Sequence, residues 1–363
     1  MVVKRKRVDW IDIARGIAII CVIVGHSLGT YWPNFLAEFI FVFHMPIFFV
    51  LSGYLYRPKN NFTLTKSNIF NLLIPYITTV LLEVIVIIIC RIIPNGVLYS
   101  RIGSIKQLLI SGSYGIGIGT NFFGISIMSI GAIWFLLAMF FGSLIFNIVM
   151  KLNIKKYDLL CKAILSLLLT LIGIIMATKF VLPFSLNSAL GSQIFFFSGY
   201  LIKEKDIIQK IKLPSVVVLT GIWIFAATVG IFGMVNMTSP NIYVSVLGGI
   251  VASIVVIKFS IYLDEVLKNN FGIWIKKSLV FFGANSLLML CFHLIDLDSV
   301  NIWPKVVEFS SVHFPYLVAI IIGIMYRIIF VIIATLIVSK IPVINSLYMN
   351  RKYPIKNLFK SIR

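Results

Sequence analysis

Residues Ile11 to Leu28 read IDIARGIAIICVIVGHSL, a run broken by only a few polar side chains, Asp12, Arg15, His26 and Ser27. At about 1.5 Å per residue such a run is about 27 Å long, close to the roughly 30 Å hydrocarbon core of a bilayer. It is therefore expected to be a transmembrane helix. Ionisable groups at that depth are costly, which makes each of them a candidate for function. Lys4-Arg5-Lys6-Arg7 precede the run as they would in a signal peptide. However, Asp12 and Arg15 interrupt the apolar stretch and no small-residue cleavage site follows, so the helix is expected to be retained.

The rest of the chain repeats this pattern. Of 363 residues 60% are hydrophobic and 12% charged, against roughly 45–50% apolar and 25% charged in soluble domains. The mean hydropathy is +1.04. Ten apolar runs stand out: Ile11 to Leu28, Leu36 to Tyr56, Ile69 to Ile93, Gly131 to Met150, Leu159 to Thr178, Leu186 to Ile202, Val216 to Val235, Ile242 to Leu263, Ser278 to Ile295 and Tyr316 to Val338. They predict an all-α integral membrane protein, a bundle of about ten transmembrane helices forming one domain over residues 1–363. Alternate inter-span segments, counted from the N-terminus, hold 23 Lys and Arg, whereas the intervening loops hold only Arg101, Lys106, Lys179 and Lys305. The positive-inside rule then places both termini in the cytoplasm, the basic segment 1–10 and the basic tail 341–363. A plasma-membrane, multi-pass location follows from the same reading.

The net charge of +20 is explained by these loops. No basic patch interleaved with aromatic residues exists, so nucleic acid is excluded as a partner. Cys21, Cys90, Cys161 and Cys291 occur singly, without CxxC or Cys/His spacing, and are expected to be free thiols with no metal. The longest extracytoplasmic segment, about Pro94 to Ile130, contains Gly112-Ser113-Tyr114-Gly115-Ile116-Gly117-Ile118-Gly119. Its glycines do not match a phosphate loop. The segment reads either as a flexible or re-entrant loop or as a lid over an acceptor site.

Among the ionisable residues inside runs are Asp12, Arg15, His26, His44, Glu83, Lys258, His293 and Arg327. Lys258 is near enough to its helix end to snorkel. Arg15 and His26 are eleven residues apart, which is three turns plus about 20°, so they share a face and lie about 16 Å apart along the axis. A long donor whose anionic head is held at Arg15 would present its reactive end at His26, and coenzyme A has that shape. The plain alternative pairs Arg15 with Asp12 one turn earlier and leaves His26 as a satisfied polar group. His44 opens the second run in Phe43-His44-Met45-Pro46, at a depth similar to His26, with Pro46 able to kink the helix. Glu83 is placed to orient an imidazole or to pair with Arg91 or Arg327. In the ninth run Asn285, Ser286 and His293, with Asp296 a turn beyond, form a further polar set.

Two stretches, Val8-Asp9-Trp10-Ile11-Asp12-Ile13-Ala14-Arg15-Gly16-Ile17 leading to Val24-Gly25-His26-Ser27, and Phe43-His44-Met45-Pro46-Ile47-Phe48-Phe49-Val50-Leu51-Ser52-Gly53-Tyr54, resemble the acyltransferase-3 family, closest to its fucose 4-O-acetylase-like members. Ile133-Trp134-Phe135-Leu136 and Phe282-Gly283-Ala284-Asn285-Ser286-Leu287 through His293 resemble its downstream signatures. The resemblance implies a ten-helix inner-membrane enzyme that moves acetyl, or another short acyl group, from cytoplasmic coenzyme A to carbohydrate. Arg15 and His26 match the family's Arg-x10-His motif, whose histidine is taken as essential. Many members carry paired arginines after the second helix, where this chain has Lys59, Lys66 and Asn71 before Pro75-Tyr76.

Together these readings predict an O-acetyltransferase with His26, Arg15 and Glu83 as catalytic residues, His26 acting as general base or as transient acyl acceptor. Arg15, Asp12 and Lys66 are the candidates for binding acetyl-CoA, which serves as acyl donor. His44, Trp134, Asn285 and His293 are the candidates for the acceptor, a polysaccharide or lipid-linked sugar. Membrane lipid is the remaining expected partner. A transporter or flippase of a lipid-linked saccharide is the rival class; no inverted repeat is visible, and the Arg15/His26 face favours the enzyme.

Overall fold

A computed structural model describes residues 8–28, 35–93, 97–153 and 156–350. The basic segments Lys4 to Arg7 and Arg351 to Arg363 lie outside the described residues. In chain order the helices are α1 (Asp9–Leu28), α2 (Phe35–Phe41), α3 (Pro46–Tyr54), α4 (Asn61–Asn68), α5 (Ile74–Ile92), α6 (Ile105–Tyr114), α7 (Trp134–Lys151), α8 (Asp158–Ala177) and α9 (Leu186–Gly191). They continue with α10 (Gln193–Glu204), α11 (Ile207–Lys210), α12 (Leu213–Thr228), α13 (Ile242–Val266), α14 (Asn270–Ala284), α15 (Ser286–Ser299), α16 (Trp303–His313), α17 (Tyr316–Lys340) and α18 (Pro342–Asn345). A single hairpin, β1 (Thr120–Phe122) paired antiparallel with β2 (Ile125–Ile127), is the sheet content among the described residues. The protein is an all-α, multi-pass membrane protein.

Among the described residues seven stretches are long and apolar enough to cross a bilayer: Asp9–Leu28, Phe35–Tyr54, Asn61–Ile92, Gly131–Lys151, Asp158–Ala177, Ile242–Val266 and Tyr316–Lys340. An eighth is reached if the bent pair α14 and α15 counts as one span. The expected count of ten is corrected at three runs. Leu186 to Ile202 is divided at Ser192, where Ser192 Oγ and Gln193 Nε2 both donate to the Ala189 carbonyl and Gln193 also reaches the Gly142 carbonyl. Val216 to Val235 yields only α12, 16 residues or about 24 Å. Beyond it Gly230 turns the backbone at φ 118° and Gly233 bridges to Thr238. The run Ser278 to Ile295 is not one helix, because it breaks at Asn285, which caps α14.

The break between α2 and α3 has a simple cause. Pro46 has no N–H to offer the Val42 carbonyl, so the helix cannot continue through it. The turn is held instead by the Ile40 carbonyl, which accepts from Phe43 N at 3.1 Å and His44 N at 3.0 Å. Asn61–Ile92 passes through a π-helical turn at Ile69–Leu73.

The described chain forms two compact units. The first contains the residues up to Tyr56 with Ser198–Phe232 and Ser239–Ser286. In it α1 lies directly against α14. A Cβ on Gly283 would overlap the Asp12 backbone carbonyl, and one on Gly16 would overlap the Leu279 carbonyl. Small residues at such crossings let helix backbones meet, which is how helices associate in lipid. Trp223 of α12 stacks on Phe39 of α2 with ring centroids 3.9 Å apart, and its indole N–H donates to the Phe39 carbonyl at 2.9 Å. Gly283→Val is expected to force α1 and α14 apart and to cost about 1–3 kcal/mol by overpacking. A thermal midpoint equal to wild type would contradict that close approach.

The second unit contains Arg57–Phe197, Gly233–Thr238 and the residues from Leu287 onward. The described part of Pro94 to Ile130 contains regular structure. It forms α6, closed by Gly115 in the left-handed region at φ 71°, and then the β1–β2 hairpin. Tyr76 donates to the Gly112 carbonyl at 2.6 Å, and a Cβ on Gly117 would run into the Trp134 ring. Upstream, residues 97–101 are zipped to 297–301. Leu98 bridges Val300, Tyr99 N donates to Ser299 O at 3.2 Å, and Asn301 N to Val97 O at 2.7 Å. Arg101 grips Asp298 with two nitrogens, each at 2.8 Å.

Candidate active site

Helix α1 runs without interruption from Asp9 to Leu28, so the helical arithmetic for Arg15 and His26 holds in the folded chain. Near its start, Arg15 Nη1 lies 3.7 Å from Asp12 Oδ1. Asp12 is buried, while a third of the Arg15 side chain is exposed. The pairing with Asp12 anticipated as the plain alternative therefore exists. It is longer than a hydrogen bond and coexists with an accessible guanidinium.

At the other end of the same face, His26 is half-buried and meets two rings from the α2–α3 region. Its ring centroid is 6.4 Å from that of His44, with the planes perpendicular, and 5.7 Å from that of Phe41. Phe41 and His44 are 4.6 Å apart, completing a three-ring cluster. Gly25 makes room for it, since a Cβ there would sit 3.0 Å from Phe41 Cε2. His44 is buried, and its Nδ1 lies 3.1 Å from the Ile40 carbonyl. A carbonyl can only accept, so Nδ1 carries the proton and, in the neutral ring, Nε2 keeps its lone pair. Phe41 was missed by sequence reasoning, although its position three residues before His44 places the two on adjacent turns.

Asn285 also belongs to the first unit. Its side-chain amide donates to the Phe281 carbonyl at 2.8 Å, the local bond of a residue ending a helix. The other candidates lie in the second unit. Lys66 is exposed in the last turn of α4. Trp134 is buried at the start of α7 under the Gly117 backbone. His293 is fully buried in α15. Glu83 is buried in α5 with its Oε1 lacking a hydrogen-bond partner, and it is within electrostatic reach of Asp298 and Arg101.

Arg327, one partner anticipated for Glu83, is bound elsewhere. Its Nε lies 3.2 Å from Asp296 Oδ2, its guanidinium carbon stacks 4.1 Å from the centre of the Trp303 ring, and Tyr326 donates to Asp296 Oδ1 at 2.9 Å. The Arg101–Asp298 pair joins residues 197 positions apart, beyond any spacing argument. All four cysteines are free. Among the described residues no group of three or more His, Cys, Asp or Glu side chains is arranged to hold a metal ion.

Residues 8–341 match a family model described as an acyltransferase domain, that of the acyltransferase-3 family. No curated protein and no solved structure matches the chain.

Proposed function

Since the chain belongs to the acyltransferase-3 family, we propose that it is an O-acetyltransferase that moves acetyl from coenzyme A to a hydroxyl of a cell-surface or exopolysaccharide sugar at the plasma membrane. The observation that carries this reading is the shared face of α1, with a partly exposed cation at Arg15 and, about 16 Å further along, His26 in its ring cluster. The spacing suits a donor with phosphates at one end and a thioester on a long arm.

Arg15 engages the donor phosphates, and Asp12 holds the Arg15 side chain in place. His26 takes the proton of the acceptor hydroxyl as the oxygen attacks the thioester carbonyl. The carbon–oxygen bond forms, the carbon–sulfur bond breaks, and the coenzyme A thiolate leaves to be protonated. A neutral imidazole has a ring nitrogen lone pair that can take that proton. His44, with Nδ1 committed to the Ile40 carbonyl, lines the acceptor side beside His26. Lys66 as a donor contact, Glu83 as a catalytic carboxylate, and Trp134, Asn285 and His293 as acceptor contacts are separate proposals, each tested by its own alanine variant in the transfer assay.

The test supplies purified protein with labelled acetyl-CoA and either polysaccharide or a lipid-linked saccharide. Label in the saccharide ester, or thioester hydrolysis without acceptor, is the expected result. Saccharide uptake into vesicles with no acylation would replace this reading with a transporter.

A further inference from the structure

A cavity of about 410 Å³ lies in the first unit, on a part of α1 that the proposed chemistry does not use. Its wall includes Trp10, sixteen residues before His26, and therefore about 160° around the helix from it and about 24 Å away along the axis. The cavity faces away from the side of α1 that carries Arg15 and His26. It lies among helix ends: the first turn of α1, Tyr54 at the end of α3, and Lys258, Ile261 and Glu265 near the end of α13.

Its chemistry is divided. Trp10 and Tyr54 meet edge-on, with centroids 5.3 Å apart and planes at 80°, forming an aromatic corner. Asp206 and Glu265 line the same cavity, and among the described residues neither forms an ion pair. Two neighbouring acids, Asp9 and Asp264, are by contrast both bound by Lys276. Asp206 precedes α11 in the position of a capping residue, yet its side chain makes no capping bond. Its backbone is left-handed at φ 49°, and its carboxylate is within electrostatic reach of Tyr54. An aromatic corner beside uncommitted carboxylates is a site for an organic cation.

Lys258 supplies the opposite charge. It does not merely snorkel to solvent, because its ammonium donates to the Ile208 carbonyl at 3.0 Å in the cavity wall. Two of its three protons remain for an anion. Next to the face formed by Lys258, Ile261 and Glu265, α13 presents Phe259, Tyr262 and Val266, all about half exposed. They lie within a helix long and apolar enough to span the bilayer, so the surface they offer is one that acyl chains cover.

We propose that this cavity binds the headgroup of an aminophospholipid such as phosphatidylethanolamine. The ammonium rests in the Trp10/Tyr54 corner against Asp206 and Glu265, the phosphate meets Lys258, and the acyl chains follow Phe259, Tyr262 and Val266. A zwitterion is favoured over an anionic lipid because the cavity carries both signs of charge. The site is independent of the acyl-transfer reading.

The test purifies full-length protein, exchanges it into nanodiscs containing phosphatidylethanolamine, phosphatidylglycerol or both, and measures retained lipid by native mass spectrometry. Retention of phosphatidylethanolamine over phosphatidylglycerol is expected, with glycerophosphoethanolamine competing. Asp206→Asn with Glu265→Gln, both at exposed positions, is expected to weaken that preference about 5- to 30-fold. Trp10→Leu should do the same, while Trp10→Phe keeps most of it. Equal retention of both lipids, or variants that keep the full preference, would overturn the proposal. Displacement of the lipid by adenosine 3′,5′-bisphosphate would also overturn it, by making the cavity a nucleotide site.

Discussion

Replacing His26 with alanine is expected to lower acetyl transfer by about 10²- to 10⁴-fold, the usual worth of a positioned general base, with protein level and thermal midpoint close to wild type. The small stability effect follows from the site, since His26 is half-buried and its removal leaves the Phe41/His44 contact in place. The loss should fall on kcat more than on KM for acetyl-CoA, because in this mechanism the imidazole acts on the acceptor hydroxyl in the transition state. His26→Gln, which keeps a polar side chain of similar reach but cannot take the proton, should be equally impaired. Surface glycan that remains fully O-acetylated in a strain expressing well-folded His26→Ala would sink the proposed role of this residue. If acyl-protein accumulates when donor is given without acceptor, and disappears in His26→Ala, the histidine carries the acyl group itself rather than only a proton.

The second large effect is on stability. Asp296 and Arg327 are both buried, and they are bound to each other, to Tyr326 and to Trp303. Asp296→Ala leaves the Arg327 guanidinium in an apolar bundle without its carboxylate. Breaking such a pair from one side costs about 3–5 kcal/mol. The double variant Asp296→Leu with Arg327→Met removes both charges and should recover most of that loss. Chemical denaturation of the purified single and double variants distinguishes a real pair from incidental proximity. Asp296→Ala within about 0.5 kcal/mol of wild type would show that the pair does not hold the unit together.

The spans set by hydropathy alone were legible in the sequence. The runs beginning at Ile11, Gly131 and Tyr316 end within two residues of the helices Asp9–Leu28, Gly131–Lys151 and Tyr316–Lys340. Apart from the one at Pro46, the interruptions were not legible, because a window average is blind to what tertiary neighbours do to a backbone. Asn285 ends α14 by bonding to the Phe281 carbonyl, and nothing in its local hydropathy marks that. The run through Ser192 is divided where Gln193 bonds to the Gly142 carbonyl, some fifty residues earlier.

The candidate site divides in the same way. The shared face of Arg15 and His26 is a property of one helix, so counting residues suffices. The adjacency of His26 to His44 and Phe41 depends on Gly25 and on the turn before Pro46, which spacing only hints at. The partner of Arg327 could not be found by counting. Glu83, Asp296 and Asp298 were all available in the sequence, and only the fold assigns Arg327 to Asp296 and Arg101 to Asp298.

The glycine contact between α1 and α14 also has a mechanical consequence. Where two backbones touch with no side chain between them, there is no compressible layer to absorb sliding, so the pair behaves as one rod. The height of Arg15 and His26 is then keyed to residues 279–283, none of which carries chemistry. A substitution there that leaves the protein folded should still detune the reaction, as a shifted rail detunes the carriage that rides on it.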